Sequence, residues 1–164
     1  MTMTLPQILE KMVAFSKGNI HDIDHLIRVW TYARMIGELE RLDPETQFIL
    51  EVAAVTHDIA CPLCREKYGN TNGKYQEKEG IPLVKEFLKD TGLTEAQIES
   101  AAFLVGHHHT FDGVDRKDWQ VLIEADYIAN ASENGYSRQN LENFMQKIMK
   151  TESGKRLLRS VFCL

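Results

Sequence analysis

The chain is poor in cysteine, and its cysteines do not pair off: Cys61, Cys64 and Cys163 are an odd number in 164 residues. That length buries a core without covalent staples, so the composition argues against a secreted disulfide framework and for reduced thiols. No segment near the start combines a basic stretch, a long apolar run and a small-residue cleavage site, and apolar residues nowhere continue for the ~20 positions that a bilayer span requires. Basic residues are outnumbered and scattered, 19 Lys and Arg against 24 Asp and Glu for a net charge of −5. This argues against an extended nucleic-acid surface and leaves room for a small phosphate pocket. Sustained period-two alternation, internal repeats, low-complexity tracts and linker-like stretches are also missing. These absences lead to the expectation of a soluble, cytoplasmic protein with residues 1–164 in one domain and neither a membrane nor a nucleic-acid polymer as partner. They set no oligomeric state.

What is present is a helical pattern. Hydrophobic residues make up 43% of the chain, enough for a real core. Leu5, Ile8, Leu9 and Met12 fall on one helical face, and Ile23, Leu26, Ile27, Trp30 and Ala33 on another. Helix starts are marked by Asp43-Pro44 and by the box Thr94 to Gln97, with Gly92 ending the helix before it. Asp118 caps a helix carrying Val121, Leu122, Ala125 and Ile128. Ser137 caps one carrying Leu141, Phe144, Met145 and Ile148. A last short helix is expected near Lys155 to Val161, so that the C-terminal helices occupy 137–162. The fold class is all-α, a single-domain helical bundle. The stretch from Cys61 to Tyr75 is expected to be a long loop, because Gly69, Asn70, Asn72 and Gly73 favour turns. Arg65, Lys67 and Lys74 in that loop are available to meet a phosphate.

Within this frame lies a set of metal-ligand residue types. His57 and Asp58 close an apolar stretch formed by Phe48, Ile49, Val52, Ala53 and Val55. His25 lies upstream, and His107, His108 and Asp126 downstream. Imidazole and carboxylate together suit a divalent metal, and no local stretch supplies enough of them, so the fold must gather them. Asp126 sits in an otherwise apolar helix, where an unpaired carboxylate is costly to bury. His21 stands one turn before His25 and is placed to reach the same site, and Arg28 is placed to brace the acidic ligands or the substrate.

The order His25, then His57-Asp58, then Asp126 on successive helices resembles the HD superfamily of metal-dependent phosphohydrolases over about residues 20–130. His25-Leu26-Ile27-Arg28-Val29 is similar to the opening motif of that family and Glu124-Ala125-Asp126 to the closing one. The resemblance implies an HD-type bundle in which His25, His57, Asp58 and Asp126 ligate one divalent cation: Mn, Fe, Mg, Co, Ni or Zn. Metal-acidified water would then attack a phosphate ester, with Asp58, His107 and His108 as catalytic residues. His107-His108 resembles the two-histidine motif of members that cleave cyclic dinucleotides. By that likeness the pair holds a second metal with Glu77, or binds the phosphate and protonates the leaving oxygen.

Two positions depart from the family pattern. Gln76 stands where those members carry a histidine, and Cys61 where relatives carry glutamate or lysine. Together these lead to the expectation of a metal-dependent phosphohydrolase for a small phosphorylated molecule, expected to be a nucleotide. His21, Arg28, Arg65, Lys74 and Glu77 are the substrate-binding candidates. The alternative is a noncatalytic metal- or nucleotide-binding sensor on the same scaffold. Cys61-Pro62-Leu63-Cys64 has the spacing of a redox dithiol, but no preceding strand or second such pair completes a redox or zinc site, so loop packing is the favoured reading.

Overall fold

Several helix starts in the computed structural model, which describes residues 1–164, follow the polar caps. Asp43 accepts the Thr46 N–H ahead of α3 (Pro44–Thr56), which opens on Pro44. Thr94 and Gln97 form a reciprocal capping box on α6 (Glu95–Val105), and Ser137 accepts the Asn140 N–H on α8 (Arg138–Lys147). Each cap satisfies a backbone N–H that a helix start leaves without an internal partner. The remaining elements are α1 (Leu5–Phe15), α2 (Ile20–Leu39), α4 (Cys61–Tyr68), α5 (Gly73–Leu88), α7 (Lys117–Asn134) and α9 (Glu152–Phe162), and there are no strands.

The structure corrects several sequence expectations. Asp118 is not a cap: it is the second residue of α7, where its carboxylate accepts the Trp119 N–H and pairs with Arg116. Ile27 faces solvent instead of the core, because the buried face of α2 runs through Leu26, Val29, Ala33 and Ile36. The last helix begins at Glu152, where Thr151 caps it, and not near Lys155.

The largest difference lies in the expected loop. Residues 61–68 form α4, with Pro62 in its first turn, and only 69–72 make a turn, where Gly69 takes the left-handed backbone (φ 71°) that closes the helix. α4 is held by burying Cys61 and Cys64 and by the flat stack of Tyr68 on Tyr75, 4.0 Å between ring centres. Gly73 then opens α5 so close to His109 that a Cβ there would lie 2.8 Å from the His109 side chain.

α3 is buried on nearly every side and packs against α1, α2, α6 and α7, while α2 and α7 pack along each other. Thirty-three buried apolar residues form one continuous core, an arrangement worth roughly 25 cal/mol per Å² of apolar surface removed from water. The segment Pro44–Tyr68 is long and apolar enough to cross a membrane by composition, contrary to the sequence expectation, but 78% of that window is buried inside the protein. Its apolarity is spent on the core.

Candidate metal centre

Three packed helices bring four ligand atoms to one point. α2 supplies His25, the end of α3 supplies His57 with Asp58 just beyond it, and α7 supplies Asp126. His25 Nε2 lies 3.2 Å from His57 Nε2, 3.1 Å from Asp126 Oδ1 and 3.2 Å from Asp58 Oδ2. His57 Nε2 lies 3.3 Å from Asp126 Oδ1 and 3.4 Å from Asp58 Oδ2. Atoms bound at ~2.1 Å to one cation sit at roughly this spacing from one another.

The outward nitrogens fix what the inward ones can do. His57 Nδ1 donates to the Ala54 carbonyl at 2.7 Å and His25 Nδ1 donates to Glu133 at 2.9 Å. With a proton on Nδ1, each neutral ring turns its Nε2 lone pair inward. Two lone pairs and two carboxylates then face one another, and the Asn130 amide, 3.0 Å from Asp126 Oδ1, contributes an N–H at the edge. A buried cluster of acceptors is unfavourable unless a cation fills it. Without a metal, protons take that part. Burial opposes charge on His25, but hydrogen bonds to Asp126 and Asp58 raise it to about 11, and His57, also opposed by burial, is raised to about 10 by the charges of Asp58 and Asp126. Both carboxyls are held low against the opposing effect of burial, chiefly by the His57 charge. The donor set fits a divalent cation.

A second group adjoins the first. Asp58, His108 and His109 bring ligand atoms within 4.8 Å of one another. His108 Nδ1 donates to the Val105 carbonyl at 2.7 Å, so its Nε2 also carries a lone pair. That atom is buried without a hydrogen-bond partner, 3.6 Å from Asp58 Oδ1. His109 Nε2 meets Gln76 Oε1 at 3.1 Å, and Gln76 in turn donates to the Thr71 carbonyl. Burial, then the neighbouring His108, lowers His109 to about 4, which keeps it neutral.

Of the histidine pair expected at His107 and His108, only His108 takes part in this group, with His109 beside it. α6 ends at Val105, and the turn that follows sends the three consecutive side chains in different directions. His107 leaves the cleft, donating to the Phe103 carbonyl and stacking on the Phe103 ring at 4.0 Å with Trp119 at its edge. His109, not singled out from the sequence, faces the cleft in its place.

The substrate candidates separate in the same way. His21 and Arg65 line the cleft of about 140 Å³ above the ligands, with Arg65 forked onto Asp22 at 2.7 and 2.8 Å. Arg28 sits outside it, 3.7 Å from Glu133. Lys74 lies over the Tyr75 ring, Glu77 accepts the Thr110 hydroxyl, and neither lines the cleft. Cys61 lines the cleft as a thiol, pushed up by burial and then by the Asp58 charge, and Cys61 and Cys64 are both free. Glu133 and Asn130 join the site although neither stands out in the sequence. The signal was present, since Asn130 and Glu133 follow Asp126 at one and two helical turns on the same face of α7.

An all-helical bundle with a buried histidine–aspartate centre defines the class. The HD domain family model matches residues 22–131, and the chain belongs to that family, a family of metal-dependent hydrolases. The fold is similar to the crystal structure of a predicted HD superfamily hydrolase from an uncultured Thermotogales bacterium. The TM-score is 0.69 at 19% identity, covering 96% of this chain and 84% of that one. No curated protein matches the sequence.

Proposed function

We propose that this protein is a metal-dependent phosphohydrolase that cleaves a phosphate ester of a small molecule, a nucleotide by preference. The observation that carries the reading is the convergence of four acceptor atoms, from His25, His57, Asp58 and Asp126, with their tautomers held by Glu133 and the Ala54 carbonyl. A divalent cation bound there would supply acidified water and neutralise phosphate charge. Ala54 and Glu133 fix the imidazoles, Asn130 steadies Asp126, and His21 with Arg65 at the cleft rim meets the phosphate oxygens. Asp58, through its second oxygen, with His108 and His109 makes up a second ligand set. This replaces the expected trio of His107, His108 and Glu77. The sensor reading draws on one observation: Cys61 offers neither carboxylate nor ammonium to the chemistry.

The test is elemental analysis of protein purified without chelator or histidine tag. It is paired with phosphate release from phosphomonoesters, nucleotides and cyclic dinucleotides after addition of Mn, Mg, Fe, Co, Ni or Zn. Metal near one per chain with turnover, both lost in His57→Ala and Asp58→Ala, is the expected result, and a stoichiometry near two assigns His108 and His109 as ligands. Bound metal without turnover on the whole panel supports the sensor, and absence of metal overturns both.

A further inference from the structure

A second chamber, of about 320 Å³, opens beside the cation cleft and shares His109, Asp126 and Asn130 with it. Its chemistry differs from that of the cleft. Ile123 is buried beneath it, and the wall is aromatic: Phe144 lies flat on Tyr127, Tyr136 leans on Tyr127 with ring centres 5.6 Å apart, and Phe111 meets Phe144 edge-on at 5.9 Å. Phe111 and Tyr136 remain 42% and 37% exposed, the only aromatic residues on this wall that do so. The Tyr127 hydroxyl donates to Asn140 Oδ1, which leaves the Asn140 amide N–H groups uncommitted on the chamber wall. A cation cleft thus adjoins an open, aromatic-walled chamber with a hydrogen-bond donor at its side.

These features select a ligand with an anionic head and a planar, apolar-faced tail that accepts a hydrogen bond at its edge. A bare sugar phosphate fills the first and leaves the second wet. Resting on the phosphohydrolase reading, we infer that Phe111 and Tyr136 are the exposed rings of a ring-binding subsite that holds the heteroaromatic ring of a nucleoside monophosphate while its phosphate sits at the metal centre. Aromatic faces bind such rings through stacking that tolerates many ring identities. The subsite therefore confers preference for a ring over no ring more than for one base over another.

The experiment separates ring binding from hydrolysis. The four ribonucleosides, which lack phosphate, are titrated into the purified protein and into Phe111→Ala, Tyr136→Ala and Tyr136→Phe, with dissociation constants read by ligand-observed NMR. Binding by the parent, weakened about five- to tenfold by each alanine and restored by Tyr136→Phe, is expected. In the metal-loaded protein, the ratio of kcat/KM for nucleoside 5′-monophosphates over ribose 5-phosphate falls by a similar factor in the alanine variants. No nucleoside binding by the parent, or equal binding by all four proteins, overturns the subsite. Nucleoside binding that follows this pattern while no phosphate ester is hydrolysed supports the subsite and fails the phosphohydrolase reading alone.

Discussion

Glu124 and Asp126 stand two residues apart on α7, both essentially buried, at 0% and 5% exposure. Glu124 is surrounded by donors: the Gln120 amide, the backbone N–H groups of Lys150 and Thr151, and the Thr151 hydroxyl. Asp126 meets one amide from Asn130 and otherwise faces two imidazole lone pairs, with the Asp58 charge close enough to oppose its own. A carboxylate ringed by donors is a fastener, and Glu124 ties α7 to the start of α9. A carboxylate ringed by acceptors needs a cation. The motif that reads Glu-Ala-Asp in the sequence therefore contains a structural anchor and a candidate metal ligand, pointed to opposite sides of one helix.

The sharpest way to break this contrast is to truncate each carboxylate. Asp126→Ala is expected to abolish metal retention, measured by elemental analysis, and to lower phosphate release by more than about a hundredfold, with a folded far-UV spectrum. Glu124→Ala should do the reverse. Stranding buried donors costs about 2–4 kcal/mol in urea unfolding, with metal content unchanged, while Glu124→Gln stays within ~1 kcal/mol of the parent. If Glu124→Ala releases the metal from folded protein, the two roles are not separate.

Removal of Glu133 tests the outward side of the centre. Glu133→Ala frees His25 Nδ1 and is expected to weaken metal affinity about 10- to 100-fold without eliminating it. Metal competition against a chromophoric chelator measures this directly.

Proton uptake gives a graded test. In chelator-treated protein, His25 and His57 are raised to about 11 and about 10 from an ordinary 6.5. Their contribution to stability is fully present below pH 6.5 and is lost as pH rises through 10 to 11. The lowered carboxyls contribute above their ordinary 3.8 and lose that contribution as pH falls through their folded values, whereas the raised carboxyl of Glu124 contributes below its ordinary 4.5 and loses it as pH rises. The Tm of chelator-treated protein should therefore drop on the alkaline side, and metal loading should abolish that drop because the cation replaces the protons. A chelator-treated Tm that stays flat to pH 11 would contradict the cluster as described.

The smallest effect is expected at His107. His107→Phe keeps the stack on Phe103 and Trp119 and should leave metal content and turnover within about twofold of the parent, whereas His109→Ala should lower metal stoichiometry if a second ion binds.

Much of this is legible in the sequence. The ligand types His25, His57, Asp58 and Asp126 are brought together by the fold in the order in which the sequence offers them, and the caps at Asp43, Thr94 and Ser137 start helices where expected, because a cap and its first turn are local chemistry. α4 is not legible in the sequence because the turn residues at 69–73 adjoin Cys61–Tyr68, a segment held helical by burying its two cysteines and by a ring stack with α5. Lys74 and Glu77 lie outside the cleft, over the Tyr75 ring and against the Thr110 hydroxyl, contacts that the sequence does not display.

The choice among His107, His108 and His109 lay beyond any periodicity. These residues follow the last turn of α6, where the 3.6-residue rule stops and Phe103, Val105 and Gln76 capture the rings one by one. The sequence alone determined a helical class, the starts of several helices and the supply of imidazole and carboxylate. Tertiary structure decided which of those groups share a point, because His25 meets His57 across 32 residues and Asp126 across 101, distances along the chain that only packing of α2, α3 and α7 can close. It also decided which nitrogen of each ring faces inward, since the partner on the other nitrogen, not the residue itself, sets where the proton resides.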